Sequence, residues 1–461
     1  MKPVKIILTA RFVSELMARR PRSSCRRSPN FSHDPWYCFR LPRSRHDSPQ
    51  LNLMRVAFLT HEPFYPPSGG GSAEAVYLVE EFVRRGYPVH VFCPKIKNAN
   101  QIKHKFSIQL HEFTAWRMGR YTAWRNLKYL LYPFFLQRLV EREARSVKFD
   151  LVFSQHSISA VAAGRLKRAL RLPVVMNFLD YLTAFLETWP AYLAPRRFIR
   201  ALERFELSLP RRYQADGILT VSDTLADLFA GTGYPPDRIR PFYFGYDSAL
   251  FRPPPAEAPA PVDRPPVVVM HGSLDHHHLG PIALGALARV ARERPETQFK
   301  FVGQHTAALV KFIGQAKQRS PEARIECTGF VPYAEVARHL SSAAVGMVPY
   351  EESTGVHCAF VAKIVEYLAV GLPTASTPLK GIQRYFHDEP LLRFAAFDGS
   401  SLGEAILHWL NEPEERRRAL GMRSSQRVKD ELDWRVLCKK AVDWVESVCA
   451  GMGASSLKSN T

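Results

Sequence analysis

The chain has 461 residues, 46% of them apolar and 23% charged, with a formal net charge of +20. That length is too great for one ordinary domain and suits two, each able to bury its own core, and the composition is that of a globular protein rather than a disordered or fibrous one. No run approaches the roughly 18–20 apolar residues of a membrane-spanning helix, and the seven cysteines show neither C-x-x-C pairs nor zinc spacing, which reads as reduced thiols in a cytosolic protein.

Residues 1–53 are rich in Arg, Ser and Pro, as in Arg19-Arg20-Pro21-Arg22, Cys25-Arg26-Arg27 and Arg43-Ser44-Arg45. With 11 basic and 3 acidic residues they carry +8 of the charge and leave +12 to the rest. No apolar core followed by a small-residue cleavage site is present, which argues against a secretory signal, while an Arg- and Ser-rich, acid-poor segment is compatible with organelle transit. Met54 opens a well-formed strand, so the simpler expectation is a true start at Met54, preceded by a mis-called and disordered extension.

From Arg55 onward strands and helices alternate, which argues for parallel sheets covered by helices. In the first half, apolar runs at 56–60, 89–93, 150–154, 174–178 and 217–221 alternate with helical stretches at 73–85, 126–146, 157–170 and 196–213. A proline-rich linker at 251–266 follows. The rhythm restarts at 267–272, 299–303, 325–330, 345–350 and 374–376. This divides the chain into a first α/β domain at 54–250, a second at 267–432 and a C-terminal segment at 433–461. Two doubly wound domains facing each other place a ligand cleft at the carboxyl ends of both strand sets.

Within the second half, an apolar strand and an irregular glycine-containing loop precede Lys363-Ile-Val-Glu366-Tyr-Leu-Ala-Val-Gly371-Leu-Pro373-Thr374. A carboxylate can accept hydrogen bonds from both ribose hydroxyls, and a helix N-terminus offers unpaired N–H groups to a diphosphate. Lys363 and Glu366 are three apart and share one helix face, which an ordinary ion pair on an amphipathic helix explains equally well. Gly371 and Pro373 stop the helix.

The segment from Glu366 to Thr374 resembles the E-(A/Y)-(M/L)-A-x-G-x-P-V pattern of the family 4 glycosyltransferases, retaining enzymes of the GT-B fold. At the other end, Met54–Thr60, Phe64-Tyr-Pro-Pro-Ser-Gly-Gly-Gly-Ser-Ala73 and Arg85-Gly-Tyr-Pro-Val-His-Val-Phe92 are similar to that family's opening strand, P-x-x-G-G loop and R-G-x-x-V. The resemblance runs from about Met54 to Val448. It implies an α/β GT-B architecture of two Rossmann-like domains, with the last helix, 434–448, crossing back to the first. It also implies that Glu366 holds the donor ribose. The family's usual glutamate pair is spaced E-x7-E, and Cys358 stands at the first position. This chain looks like the subset with K-x-x-E-Y-L-A-x-G, so the role of the first glutamate passes to no single residue. The loop Ser353–His357, with Gly355, Val356 and His357, is the candidate replacement through backbone amides.

Four strand-end loops complete the candidate site. Gly69, Gly70 and Gly71 lie between a strand and a helix, where backbone amides can approach an acceptor or donor phosphate, or simply make a tight turn. His156 sits where the family often places a histidine, though a core or loop histidine fits too. Asp180 ends another strand and either holds a sugar hydroxyl or caps the next helix. In His271-Gly272-Ser273-Leu274-Asp275-His276-His277-His278 the family's usual lysine is missing. Adjacent histidines cannot all converge on one ion, so the three read as a solvated loop. The phosphate role then falls to amides around Gly272 and Ser273 together with Lys363.

No D-x-D motif is present, so no metal and no cofactor is expected beyond a nucleotide-diphosphate sugar as co-substrate. Charge on the departing diphosphate is left to helix dipoles, amides and basic groups. The resemblance further implies front-face attack without a protein nucleophile, His156, Asp180 and Lys363 being the residues nearest the chemistry. Basic residues mixed with aromatics at 116–138 suit either an interfacial helix on an anionic membrane or a domain helix with a basic outer face. No nucleic-acid module accompanies the charge. The expectation is a cytoplasmic, peripherally membrane-associated transferase acting on a glycan or lipid-linked acceptor. Nucleotide-sugar epimerisation and a non-catalytic nucleotide-sugar- or glycan-binding subunit are the alternatives.

Overall fold

The structure, a computed structural model, describes residues 53–66, 70–114, 127–188, 196–255 and 264–458. In the first half, seven strands form one sheet: β1 (Val56–Thr60), β2 (Val89–Pro94), β3 (Gln109–Phe113), β4 (Leu151–Gln155), β5 (Val174–Phe178), β6 (Gly217–Thr220) and β7 (Ile239–Pro241). Their order is β3-β2-β1-β4-β5-β6-β7, with every pairing parallel. The covering helices are α1 (Gly70–Arg84), α2 (Ala99–Phe106), α3 (Leu127–Glu143), α4 (His156–Leu170), α5 (Arg196–Tyr213) and α6 (Asp223–Gly231). Every residue of β1, β4 and β5 is buried, which is why these strands read as unbroken apolar runs: a parallel sheet has no solvent face.

The second sheet holds β8 (Val267–His271), β9 (Gln298–Val302), β10 (Arg324–Gly329), β11 (Val345–Val348), β12 (Thr374–Ser376) and β13 (Leu392–Phe394). Its order is β10-β9-β8-β11-β12-β13, again all parallel. Around it lie α7 (Pro281–Glu293), α8 (Ala307–Arg319), α9 (Tyr333–Ser341), α10 (Thr354–Cys358), α11 (Ala362–Ala369), α12 (Lys380–Tyr385), α13 (Gly399–Asn411) and α14 (Glu414–Leu432). In both sheets the strand order reverses beside the first strand, at β1/β4 and β8/β11, and the crevice outside these carboxyl ends is the ligand position of an open α/β sheet. The two-domain α/β fold expected from the alternation is the one observed.

Helix α15 (Trp434–Lys458) leaves the second lobe and packs on α1 of the first. Arg85 reaches Asp443 at 2.6 Å and Glu446 at 2.8 Å, and Tyr77 stacks on Trp434. Three of the expectations fall wholly or partly outside the described residues: the extension before Leu53, Gly69 of the glycine loop, and residues 116–126 of the basic aromatic stretch, whose remainder lies in α3. Part of the linker, 256–263, also lies outside them.

Candidate active site

The carboxyl ends of β8 and β11 and the first turn of α11 bring a chain of charged groups together in the second lobe. Lys363 Nζ lies 3.0 Å from His278 Nε2, and His278 Nδ1 lies 2.9 Å from Asp275 Oδ1. The pairing fixes the tautomer: the ammonium donates to Nε2, and the Nδ1 proton is donated to the carboxylate. Burial, with Lys363 alongside, holds the His278 imidazole down to about 4, so it is neutral at pH 7. Burial alone would raise Asp275, but its pairing with His278, which donates a hydrogen bond to it, and the nearby Lys363 ammonium hold it well below the usual carboxylate range. Burial lowers Lys363, against the pull of Asp275, Glu366 and Asp180. The ammonium sits 5.5 Å from the centre of the Tyr350 ring, and His278 meets the same ring edge-on.

Gly272 follows β8 with φ of 92°, a left-handed conformation that favours glycine. A Cβ there would come within 3.3 Å of Lys363 Cε, so the glycine leaves the space beside the lysine stem open. Its own N–H donates to the Val302 carbonyl at 2.9 Å, which removes that amide from the anion-binding pair expected at Gly272 and Ser273. Glu366, one turn along α11 from Lys363, is buried. Its two oxygens meet His271 Nε2 at 2.5 Å and the Tyr333 hydroxyl at 2.6 Å. A ligand hydroxyl bound by Glu366 would exchange with one of these protein partners.

The first lobe supplies a second set at the ends of β1, β4 and β5. His156 has φ of 69°, an uncommon conformation outside glycine, and its Nε2 is buried without a hydrogen-bond partner. That nitrogen is 4.0 Å from Glu62 Oε2 and would lie 3.1 Å from a Cβ on Gly71. Burial lowers its basicity, opposed by Glu62. Gln155 ties the same region down by donating to the Gly71 carbonyl at 2.8 Å. Burial, with Glu62 and Glu206 nearby, raises Asp180 to about 7, while Lys363 of the other lobe opposes the shift. The Asp180 loop is fixed by buried Glu206, which accepts from Ser157 Oγ, from the Leu182 and Thr183 amides and from Thr183 Oγ1. His156 and Gly71 therefore form one corner, and the mutual influence of Asp180 and Lys363 links the two lobes.

The loop at 353–357 does other work in this conformation. Ser353 Oγ caps α10 by accepting from the Val356 amide. The Thr354 amide donates to Glu187 Oε2 at 2.8 Å, and the His357 amide to the Ser353 carbonyl. Gly355 packs under the other lobe: a Cβ on it would lie 2.7 Å from Phe185 N. Val356 is fully buried, and His357 meets Phe397 and Glu352. These residues build the contact between lobes, and no described side-chain interaction joins them to the Lys363 chain. Cys358 is buried, its thiol pushed up to about 12 chiefly by burial, and its carbonyl accepts from Ser222 Oγ of the first lobe.

The reading of 276–278 as a solvated loop is corrected. His276 is exposed and His277 partly so, but His278 is only 4% exposed, because its turn folds back beneath Lys363. Asp275, His271, Tyr333 and Glu206 receive no role from the sequence. The spacing Asp275-x-x-His278 was the available signal for Asp275; Tyr333 and Glu206 meet their partners only through tertiary packing. Among the described residues, His90, His111 and Glu143 form the group that could hold a metal ion. It sits on β2, β3 and the end of α3, away from the strand ends above, with His90 Nδ1 and His111 Nε2 3.0 Å apart.

Residues 68–250 match Glycosyltransferase Family 4 and residues 265–412 match Glycosyl transferases group 1. No curated protein matches the chain. Among solved structures, sucrose-phosphate synthase from Thermosynechococcus elongatus is similar at 16% identity and a TM-score of 0.69, over 86% of this chain and 100% of that one. Anabaena HepE in complex with UDP-glucose gives 17% and 0.65 over 86% and 100%. WaaG, a glycosyltransferase involved in lipopolysaccharide biosynthesis, gives 16% and 0.56 over 84% and 98%. At these identities the likeness speaks for the fold.

Proposed function

With its two lobes matched to Glycosyltransferase Family 4 and Glycosyl transferases group 1, the chain belongs to the GT-B glycosyltransferases, and we propose that it transfers a hexose from a nucleoside-diphosphate sugar, with retention and without a metal, to a glycan or lipid-linked acceptor. The observation that carries this reading is the half-buried Lys363 held on the buried His278–Asp275 pair and opening on Gly272. It is a fixed cation beside a gap, where charge on a leaving diphosphate could be stabilised without reorganisation. Glu366 is the ribose carboxylate of this reading, exchanging Tyr333 or His271 for the ribose hydroxyls.

In the reaction the bond from the anomeric carbon to the β-phosphate oxygen breaks. The acceptor oxygen bonds to that carbon on the same face, and the acceptor proton passes to the leaving phosphate. Lys363 stabilises the departing charge; Asp180 and His156, on the facing lobe, orient the acceptor hydroxyl. The chain works in the cytoplasm, peripherally on a membrane. HepE holds UDP-glucose, which makes uridine donors the first to try.

The test is a thermal-shift and sugar-release screen of the full chain with UDP-, GDP- and ADP-sugars, with and without EDTA, beside Glu366→Ala. Stabilisation by one donor that survives EDTA and is lost in the variant, with slow sugar release, supports the transferase. Binding without release supports a non-catalytic subunit instead. No stabilisation by any donor removes the nucleotide-sugar reading.

A further inference from the structure

Helices α3, α4 and α5 pack side by side on the first lobe, α4 in the middle. The residues they expose are of unusual chemistry. On α5 these include Arg196, Arg197, Arg200, Arg204, Arg211 and Arg212. On α4 they include Arg165 and Arg168, and on the described part of α3, Arg138 and Arg142. No acidic residue in the described parts of these three helices is exposed; Glu141, Glu143 and Glu203 are half-buried and Glu206 is buried. Among the described residues, the close contacts these helices make between oppositely ionisable groups, Lys167 with Asp216 and Glu143 with the partly buried His111 imidazole, involve none of the ten arginines. The acids near them are few, Glu187 and Glu203 beside Arg196 and Arg200 and Glu141 beside Arg138 and Arg142, so the exposed groups of this face are in large basic excess.

The same face exposes large apolar rings. Phe198 is 53% exposed, Phe205 38% and Phe134 40%. Phe198 and Phe205 are seven residues apart and share one side of α5, next to the stripe formed by Arg197, Arg200, Arg204 and Arg211. The helix buries the opposite side through Ile199, Glu206, Leu209 and Pro210. Arg138 lies over the Phe134 ring at 4.4 Å and Arg212 over Phe205 at 5.5 Å. A cleft of about 610 Å³ beside α3 is lined by Arg138, Arg142 and Arg145 with Phe135 and Leu139, and by one acid, Glu141. Arginines flanked by exposed aromatic rings on a layer of helices match a surface that is anionic at its boundary and apolar just beneath it. Single-stranded nucleic acid also binds basic surfaces by stacking bases on exposed rings, but the family matches of the chain include no nucleic-acid module, and the bilayer is the occupant these observations favour.

We propose that the outer face of α3, α4 and α5 docks on a bilayer containing anionic phospholipid, the arginines engaging headgroups and Phe198 and Phe205 entering the acyl boundary. This names the surface for the peripheral association proposed above and does not rest on the donor chemistry.

The test is co-sedimentation of the full chain with phosphatidylcholine vesicles, with and without about a third phosphatidylglycerol. The variants are Arg197→Gln/Arg200→Gln/Arg204→Gln, Phe198→Ser/Phe205→Ser, and a second-lobe control, Lys311→Gln/Arg324→Gln/Arg393→Gln. Binding is expected only to the anionic vesicles. With roughly a factor of five per basic group at such a surface, the α5 arginine variant should partition on the order of a hundredfold more weakly. The phenylalanine variant, its charge intact, should lose on the order of tenfold, and the control should be unchanged. Melting temperatures show that the variants fold. Equal binding of wild type and both α5 variants would overturn this surface while leaving peripheral association standing. No vesicle binding would overturn both, and binding of a single-stranded RNA in place of vesicles would assign the face to nucleic acid.

Discussion

Lys363 reaches its place through a neutral imidazole, and that arrangement sets what each substitution should do. Replacing Lys363 with Met removes the cation placed beside Gly272, and turnover should fall on the order of 10²–10³-fold with the fold intact. His278→Ala leaves Lys363 without its acceptor, whereas His278→Gln offers an amide oxygen near the position of Nε2. Turnover should drop about tenfold in the first and recover most of that in the second, a rescue that lost packing alone would not show. The same histidine links stability to pH. It titrates near 4 in the fold and near 6.5 unfolded, so the unfolded chain takes up the proton first, and stability falls as pH drops from about 6.5 toward 4. A pH series of denaturant midpoints should show that limb, flattened in His278→Gln. Asp180 has the opposite sign. Raised to about 7, it holds its proton in the fold above the unfolded value, so stability falls as pH rises from about 4 through 7. Asp180→Asn should therefore stabilise the protein at pH 8 by about 2 kcal/mol relative to pH 5, while lowering transfer. A variant equally stable at both pH values relative to wild type would show that the carboxyl titrates normally.

Among the elements, α10 shows how a short segment can be legible as a motif and opaque as a contact. The strand, loop and helix around Lys363 could be read because their apolar run, glycine and Gly-x-Pro stop are local signals. The burial of Gly355 against Phe185 N and the capping of Thr354 by Glu187 join residues more than 160 positions apart, and no spacing announces them. Gly355→Ala would place a methyl carbon 2.7 Å from that backbone nitrogen, inside any normal contact, so the lobes could not meet there without a shift. Donor-induced stabilisation should weaken and transfer should fall about tenfold, because closure completes the site, while the melting temperature without donor changes little. An unchanged transfer rate would mean the α10 contact is incidental to closure. The strands missed from sequence have a simpler cause. β3, with its polar Gln109, His111 and Glu112, and the three-residue β7 and β13 lie at or beside sheet edges, where a strand need not be continuously apolar. The buried strands β1, β4 and β5 were found for the converse reason.

At the scale of the molecule, the lobes are tied by contacts from one chain segment as well as by the cleft. Tyr246 bridges to Asp433 just before α15 begins, and Trp434 is 1% exposed among Tyr77, Phe242 and Phe244. Further along, Trp444 lies where a Cβ on Gly217 would be, 2.5 Å from its ring. Helix α15 thus leaves the second lobe and spends its aromatic residues on the first, making the unfolding of either lobe costly to the other. Trp434→Ala should remove about 3–5 kcal/mol, the range for emptying a buried aromatic site. Because Trp434 stands at the crossing point, the loss should also uncouple the lobes. Calorimetry would then resolve two transitions in place of one, with donor raising only the second-lobe transition, where Glu366 and Lys363 reside. A single transition shifted downward would instead show that the remaining contacts, Arg85 with Asp443 and Glu446 on α15 and Ser222 with Cys358 across the cleft, suffice to keep the two sheets one cooperative unit.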